Sequence, residues 1–275
     1  MSATPRDKRS VVRRVVEAPA NVPVVDPAGT FASFVVRVFG AFRYLPRYWG
    51  EVLRQMGLLA TGSVLVIVLM SFVAGTSCGI AAEAFGQQIG AGVVGPLFSS
   101  FCVNREIVPF VFGFILAANV GGGIVAELGA MRVNEEIDAM DVIGIPSMTF
   151  AVASRLAAAF IVMPIAYIVA LGAAEGASWL GSYVRSGSVS QGTWEFAFYT
   201  VTSMTDIFLS FVKGMVMTFA VVLVSLYFGY SVGGGPVEVG TATARSMAVN
   251  LILVTVLNMA MTFLFWGFNP RLPIA

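Results

Sequence analysis

Histidine is absent from the 275 residues, and cysteine occurs only twice, at Cys78 and Cys102. Without histidine neither a Ser-His-Asp nor a Cys-His nucleophile pair can be assembled, and a metal site would have to be made from carboxylates alone. The chain is therefore not expected to be an enzyme. Charge is scarce as well. Asp, Glu, Lys and Arg make up 11% of the residues against 57% apolar ones, whereas soluble domains carry about 25% charged side chains. So few polar groups do not cover a soluble fold of this length, which makes lipid the expected solvent. A net charge of +1 offers no field for nucleic acid, and none is expected as a partner. No GxxxxGK followed by Ser or Thr is present, so no nucleotide or other cofactor is expected on this chain. The two cysteines are expected as buried free thiols, with a disulfide near an outer face as the alternative.

What the chain does contain is long apolar runs. A helix needs about 20 residues to cross the hydrocarbon core, and five stretches qualify, near 55–82, 105–126, 148–178, 200–228 and 242–268. The expected fold class is all-α, a polytopic membrane protein of five transmembrane helices. Nine of the 16 basic residues (Arg6, Lys8, Arg9, Arg13, Arg14, Arg37, Arg43, Arg47 and Arg54) precede the first stretch. The positive-inside bias then puts the N-terminus in the cytoplasm, and five spans put the C-terminus outside an inner membrane. Residues 1–28 are basic and proline-containing with no apolar signal core, and are expected as a disordered cytoplasmic tail. In 29–54, Phe34, Val35, Val38, Phe42 and Leu45 recur at helical spacing opposite arginines. That pattern predicts an amphipathic helix in the cytoplasmic interface, bent at Pro46; a plain extension of the first span is the alternative. Residues 269–275 are a short extracytoplasmic tail.

The charge-free interval 84–104 holds Gly86, Gly90, Gly92, Gly95 and Pro96. It reads as an outer loop or a re-entrant piece lining a cavity. The pairs Gly75 with Gly79, Gly86 with Gly90, and Gly172 with Gly176 have the four-residue spacing that lets helices approach closely in lipid. The Gly-rich run 229–240 lacks the lysine of a phosphate cradle and is read as a flexible cytoplasmic connection.

Five of the 15 acidic residues fall in 127–146. There Val133, Ile137 and Met140 take one helical face, Asn134, Asp138 and Asp141 the other, and Gly144 with Pro146 supplies a stop. A capped amphipathic helix between two spans points to a docking surface for a cytoplasmic partner. Ionisable groups at membrane depth cost about 2.5–3.5 kcal/mol on insertion scales and are functional candidates by default. Arg105, Glu106, Asp206 and Lys213 qualify. Asp206 and Lys213 share a helical face but lie ~10.5 Å apart along it, so partners on other helices are expected.

The segments ELGAMRVNEEIDAMDVIGI (127–145), NREIVPFVFGFILAANVGGG (104–123), SRLAAAF (154–160), DIFLSFVKG (206–214) and YFGYSVGGGPVEVGTATARS (227–246) together resemble the MlaE and YrbE permeases of lipid-transporting ABC systems. The chain is most similar to the B-type YrbE permease of actinobacterial Mce systems, and the resemblance spans roughly 31–268. It implies a permease domain over 55–268 and a coupling helix at 127–143 that seats in a separate cytoplasmic ABC ATPase dimer. Glu127, Arg132, Glu135, Glu136, Ile137, Asp138, Met140 and Asp141 would make that contact, with ATP and Mg on the ATPase. It further implies a second, A-type permease, Mce subunits forming a lipid conduit, and a lipid cargo of the fatty acid, mycolate or sterol class. Arg105, Glu106, Phe112, Asn119, Asp206 and Lys213 are the candidates for lining or gating the lipid path, with Phe72, Phe110, Phe263 and Phe265 as further apolar lining. Asn119 stands where the family commonly has arginine, and Ile107 and Val108 replace its usual Leu-Gly. A stand-alone ion-coupled transporter or channel working through Glu106, Asp206 and Lys213 is the alternative.

Overall fold

The computed structural model describes residues 25–186 and 190–267, and every regular element among them is helical. Helix α1 (Val25–Ala41) leads through a 3-10 stretch, Phe42–Tyr48, into α2 (Trp49–Gln88). Helix α3 (Val94–Val133) and the short α4 (Glu136–Val142) follow. A π turn, Met148–Ala153, runs into α5 (Ser154–Ser186). Then come α6 (Gln191–Val201), α7 (Met204–Tyr230) and α8 (Pro236–Trp266). Five helical stretches, those containing α2, α3, α5, α7 and α8, are long and apolar enough to span a bilayer. The all-helical, five-span architecture expected from composition is the one found. Residues 1–24 and 268–275, which hold most of the two expected tails, lie outside the described residues.

Several boundaries differ from the sequence reading. The N-terminal helix stops at Ala41, Pro46 sits in the 3-10 stretch, and the first spanning helix already begins at Trp49, ahead of Arg54. Phe34 and Val38, expected on the apolar face of an interfacial helix, are buried within the protein itself, with Phe34 edge-on to Tyr227 at 5.5 Å. The interval 84–104 is neither a long outer loop nor a re-entrant piece. Helix α2 continues to Gln88, a turn at 89–93 reverses the chain, and α3 starts at Val94. Only Gly90, at φ +70°, needs the left-handed backbone of a turn. Gly86 and Gly95 let the two helices touch instead: a methyl added at Gly86 would sit 2.9 Å from the Gly95 nitrogen. The expected flexible connection at 229–240 shrinks to 231–235, because Pro236 occupies the first turn of α8. Helix α6, capped by Ser190, was not anticipated.

The bundle is organised around α2 against α5. Along α2 the buried positions Ser63, Ile67, Ser71, Gly75, Gly79 and Ala82 form one stripe, while Leu65, Leu69 and Val73 face outward. Added methyls at Gly75 and Gly79 would collide with the carbonyl oxygens of Ala174 and Ser178, so the backbones meet directly. At Gly172 and Gly176 nothing lies within 4 Å, and that pair makes no close approach. Helix α7 completes the core with Met217, Val221, Val222 and Leu226, and its Ser210 hydroxyl meets the Tyr167 hydroxyl of α5 at 2.6 Å.

Cys78 and Cys102 are joined in a disulfide, correcting the expectation of free thiols. The reason is the tight 89–93 turn. It packs α2 antiparallel to α3, so residues 24 apart in sequence bring their Cα atoms to 6.1 Å, within disulfide reach.

Candidate functional site

At the end of the bundle opposite α4, ionisable residues of α3 and α7 converge with polar side chains of α8. Asp206 is the third residue of α7 and completes a capping box with Ser203: its backbone N–H donates to Ser203 Oγ (3.1 Å), and Ser203 Oγ donates to Asp206 Oδ2 (2.8 Å). Its other oxygen, Oδ1, accepts from Trp266 Nε1 at 2.7 Å and lies 3.2 Å from Arg105 Nη2. The S-x-x-D spacing at 203–206 is a helix-start signal that the sequence reading passed over. The Arg105 guanidinium stacks over Phe101 at 4.3 Å and Trp266 at 5.4 Å.

Lys213, fully buried, lies two turns along α7. Its Nζ donates to the Arg105 carbonyl (2.8 Å) and to Thr262 Oγ1 (2.5 Å), and is 3.5 Å from Glu106 Oε2. Asn258 Nδ2 donates to the same Glu106 oxygen at 3.0 Å. Two carbonyls of α3 are open to such bonds: in the π turn at 102–107 the Val108 N–H bonds to Val103 and leaves the Asn104 carbonyl, and Pro109 has no N–H to offer the Arg105 carbonyl. A π turn shifts the hydrogen-bond ladder and frees carbonyls for side chains. The Asn104 carbonyl accepts from Ser210 Oγ (2.5 Å) and the Arg105 carbonyl from Lys213. As helical spacing required, Asp206 and Lys213 pair with α3 and α8 rather than with each other. Glu106, half-exposed, faces a surface hollow lined by Asn258, Met259, Thr262 and Trp266.

The remaining lining candidates lie elsewhere. Phe112 is sealed in the core, edge-on to Tyr167 at 5.0 Å, and lines no path within this chain. Phe72 and Phe263 point outward. Asn119 is exposed in the second π turn of α3, Leu116–Gly121, near the α4 end, where its Nδ2 donates to the Gly62 carbonyl at 3.1 Å. Two turns further on, Glu127 meets the buried Arg155 of α5 at 3.2 Å. Asn119, Glu127 and Arg155 share one cavity. Arg155 was not singled out from sequence, because a lone arginine eight residues into a predicted span reads as an interface anchor.

The expected coupling helix is two pieces, not one rigid element at 127–143. Residues 127–133 are the last turns of α3, and the chain breaks at 134–135, where Glu135 takes φ +60°. Only Glu136–Val142 forms the separate helix. It ends in a Schellman motif: Ile145 N–H bonds to the Met140 carbonyl (2.9 Å) and Gly144 N–H to the Asp141 carbonyl (3.2 Å), with Gly144 at φ +82°. Ile137 is fully buried and Met140 half-buried, anchoring the helix inward. Asp141 is not part of a free acidic face, since its carboxylate accepts from Ser147 N–H and Ser147 Oγ, both at 3.1 Å, and Ser147 Oγ lies 3.3 Å from the Tyr230 hydroxyl. Arg132 pairs with Asp138 at 2.8 Å. What faces outward is Glu135, Glu136 and Asp138, together with two apolar residues the periodicity missed, Val142 (87% exposed) and Ile143 (71%).

A family model described as permease MlaE matches residues 52–264. The chain is 26% identical over 241 residues to a probable ABC transporter permease protein of Rickettsia bellii, covering 86% of this chain and 92% of that one. It is 24% identical over 239 residues to the intermembrane phospholipid transport system permease protein MlaE of Haemophilus influenzae (84% and 89%). A probable ABC transporter permease protein of Synechocystis matches at 24% over 170 residues (61% and 63%). The matched range takes in α4, the four ionisable residues of the cluster and all of the spanning helices but the beginning of α2 and the end of α8.

Proposed function

The chain belongs to the MlaE permease family, and from that premise we propose that it is the membrane-embedded permease subunit of an ATP-driven lipid transporter, powered by a separate ABC ATPase dimer that binds ATP and Mg. The observation that carries this reading is α4. A seven-residue helix at one end of the bundle is pinned inward by Ile137 and Asp141 yet turns Val142 and Ile143 outward. Exposed aliphatic side chains beside Glu135, Glu136 and Asp138 make a surface suited to a complementary groove on a soluble partner.

We take the α4 end as cytoplasmic. Two features support that orientation: the eight basic residues ahead of α2, with a ninth, Arg54, in its first turns, and a disulfide in the opposite half, where an oxidising exterior would form it. Closure of the ATPases would then push on α4. The displacement would pass through Ile137 and through the Asp141–Ser147–Tyr230 contacts to α3, α5 and α7 together. At the far end Arg105, Glu106, Asp206 and Lys213 tie α3, α7 and α8, and are the groups that would break and re-form as a lipid path opens. In its finer form the proposal is a B-type YrbE subunit of an Mce system, paired with an A-type permease and handing fatty acid, mycolate or sterol lipid to or from Mce conduit subunits. The sequence segments quoted above support that subtype.

The test is to purify the chain from membranes with its neighbours. ATPase should co-purify with the wild type and be lost from V142D/I143D and from charge reversal at Glu135, Glu136 and Asp138, with the permease itself still present. ATPase retention in both variants, or ion-driven transport by the isolated chain, would replace this reading with the stand-alone transporter.

A further inference from the structure

A cavity of about 170 Å³ opens between α2, α3 and α5 near the α4 end, away from the ionic cluster. Three polar side chains on it are almost wholly buried, Gln55 (3% exposed), Ser63 (5%) and Arg155 (5%), with Asn119 and Glu127 at its mouth. Polar groups gathered at membrane depth are costly and mark a site by default.

Their hydrogen bonds narrow what the cavity can take. The donors are largely used: Gln55 Nε2 on Glu51 (2.7 Å), Asn119 Nδ2 on the Gly62 carbonyl (3.1 Å), Arg155 Nη1 on the Ala151 carbonyl (2.7 Å) and Nη2 on Glu127 (3.2 Å). The amide oxygens of Gln55 and Asn119 remain as acceptors. One buried donor, Arg155 Nε, has no acceptor among the described residues. An ammonium only donates and a phosphate only accepts, whereas a hydroxyl does both. Arg155 is already neutralised by Glu127, and Arg54 by Glu51, so the cavity holds no spare positive charge for an anion. Leu58, Leu59, Val120 and Ile124 complete the wall with apolar surface. The volume is ample for a glycerol-sized head and leaves acyl chains to the bilayer.

We propose that this cavity binds the neutral, hydroxyl-bearing headgroup of an acylglycerol-type lipid, making it a second lipid site apart from the ionic cluster. The proposal rests on the permease reading and deepens it by naming a headgroup class.

The test uses the full chain in phosphatidylcholine nanodiscs and a monoacylglycerol carrying a diazirine near its headgroup. Photolabelling should map to peptides spanning 55–63 and 119–127. Gly123 lines the cavity and an added Cβ there meets open space, so Gly123→Leu should fill it and cut labelling about tenfold. Asn119→Leu, which removes an acceptor without filling the cavity, should also weaken it. Unlabelled monoacylglycerol should compete; phosphatidic acid of the same chain length and free glycerol should not. Labelling indifferent to both variants, competition by phosphatidic acid, or competition by free glycerol would each overturn the assignment. If labelling fails while ATPase co-purification persists, the headgroup site falls and the permease reading stands.

Discussion

Lys213 of α7 donates to the main-chain carbonyl of Arg105 on α3 at 2.8 Å, so a buried cation is tied to a carbonyl left available because the residue four further on, Pro109, has no N–H. Removing it should leave that carbonyl and Thr262 without their partner and Glu106 without its cation. Lys213→Met is expected to lower stability by about 1–3 kcal/mol, read as a drop in Tm of the detergent-purified chain. Lys213→Arg should not restore it, because the fully enclosed site has no room for a planar fork.

Contact between the α2 and α5 backbones depends on the absence of a side chain at Gly79. Gly79→Ala should force the helices apart and cost about 1–3 kcal/mol. Gly172→Ala, which meets nothing within 4 Å, should stay within about 0.5 kcal/mol. Paired unfolding curves distinguish the two, and equal losses would contradict the close crossing.

The disulfide makes a prediction about chemistry as well as stability. Without reductant neither Cys78 nor Cys102 should react with an alkylating reagent in the unfolded chain, and non-reducing peptide mapping should recover the two as one linked species. Cys78→Ser should cost no more than about 2–4 kcal/mol, because the 89–93 turn already confines α2 against α3.

Gly144 carries α4's C-terminal cap at φ +82°. An alanine there should cost about 1–2 kcal/mol locally and raise amide hydrogen exchange across 136–143. Exchange in the middle of α7 should not change, since the Asp141–Ser147–Tyr230 contacts reach only the last residue of that helix. Weaker ATPase retention should accompany the loosened α4 if the surface works as proposed.

Legibility from sequence was uneven in a physically consistent way. Phe34 and Val38 announced a buried helical face, and the Gly75 with Gly79 spacing announced a close crossing. Yet the identical spacing of Gly172 with Gly176 meets nothing, since spacing shows which residues share a face but not what that face meets. The glycines of 84–104 suggested broken backbone, whereas only Gly90 breaks it. The hydrogen bonding of Asp141 to Ser147, the exposure of Val142 and Ile143, and the pairing of Arg155 with Glu127 were all hidden, because each depends on how helix ends dock.

By itself the sequence determined that this chain is built for lipid, has five helices long enough to cross it, and presents a short acidic helix between the second and third of them. Those properties follow from composition and local periodicity, which hold whatever the chain folds against. Only the tertiary structure decided that Asp206 meets Arg105 and Trp266, that Lys213 reaches a freed carbonyl near Glu106, that two cysteines are joined, and that Gln55, Asn119 and Arg155 face one cavity. Each is a contact between helices distant in sequence. Its geometry is set by crossing position and π-turn register, which no single segment encodes.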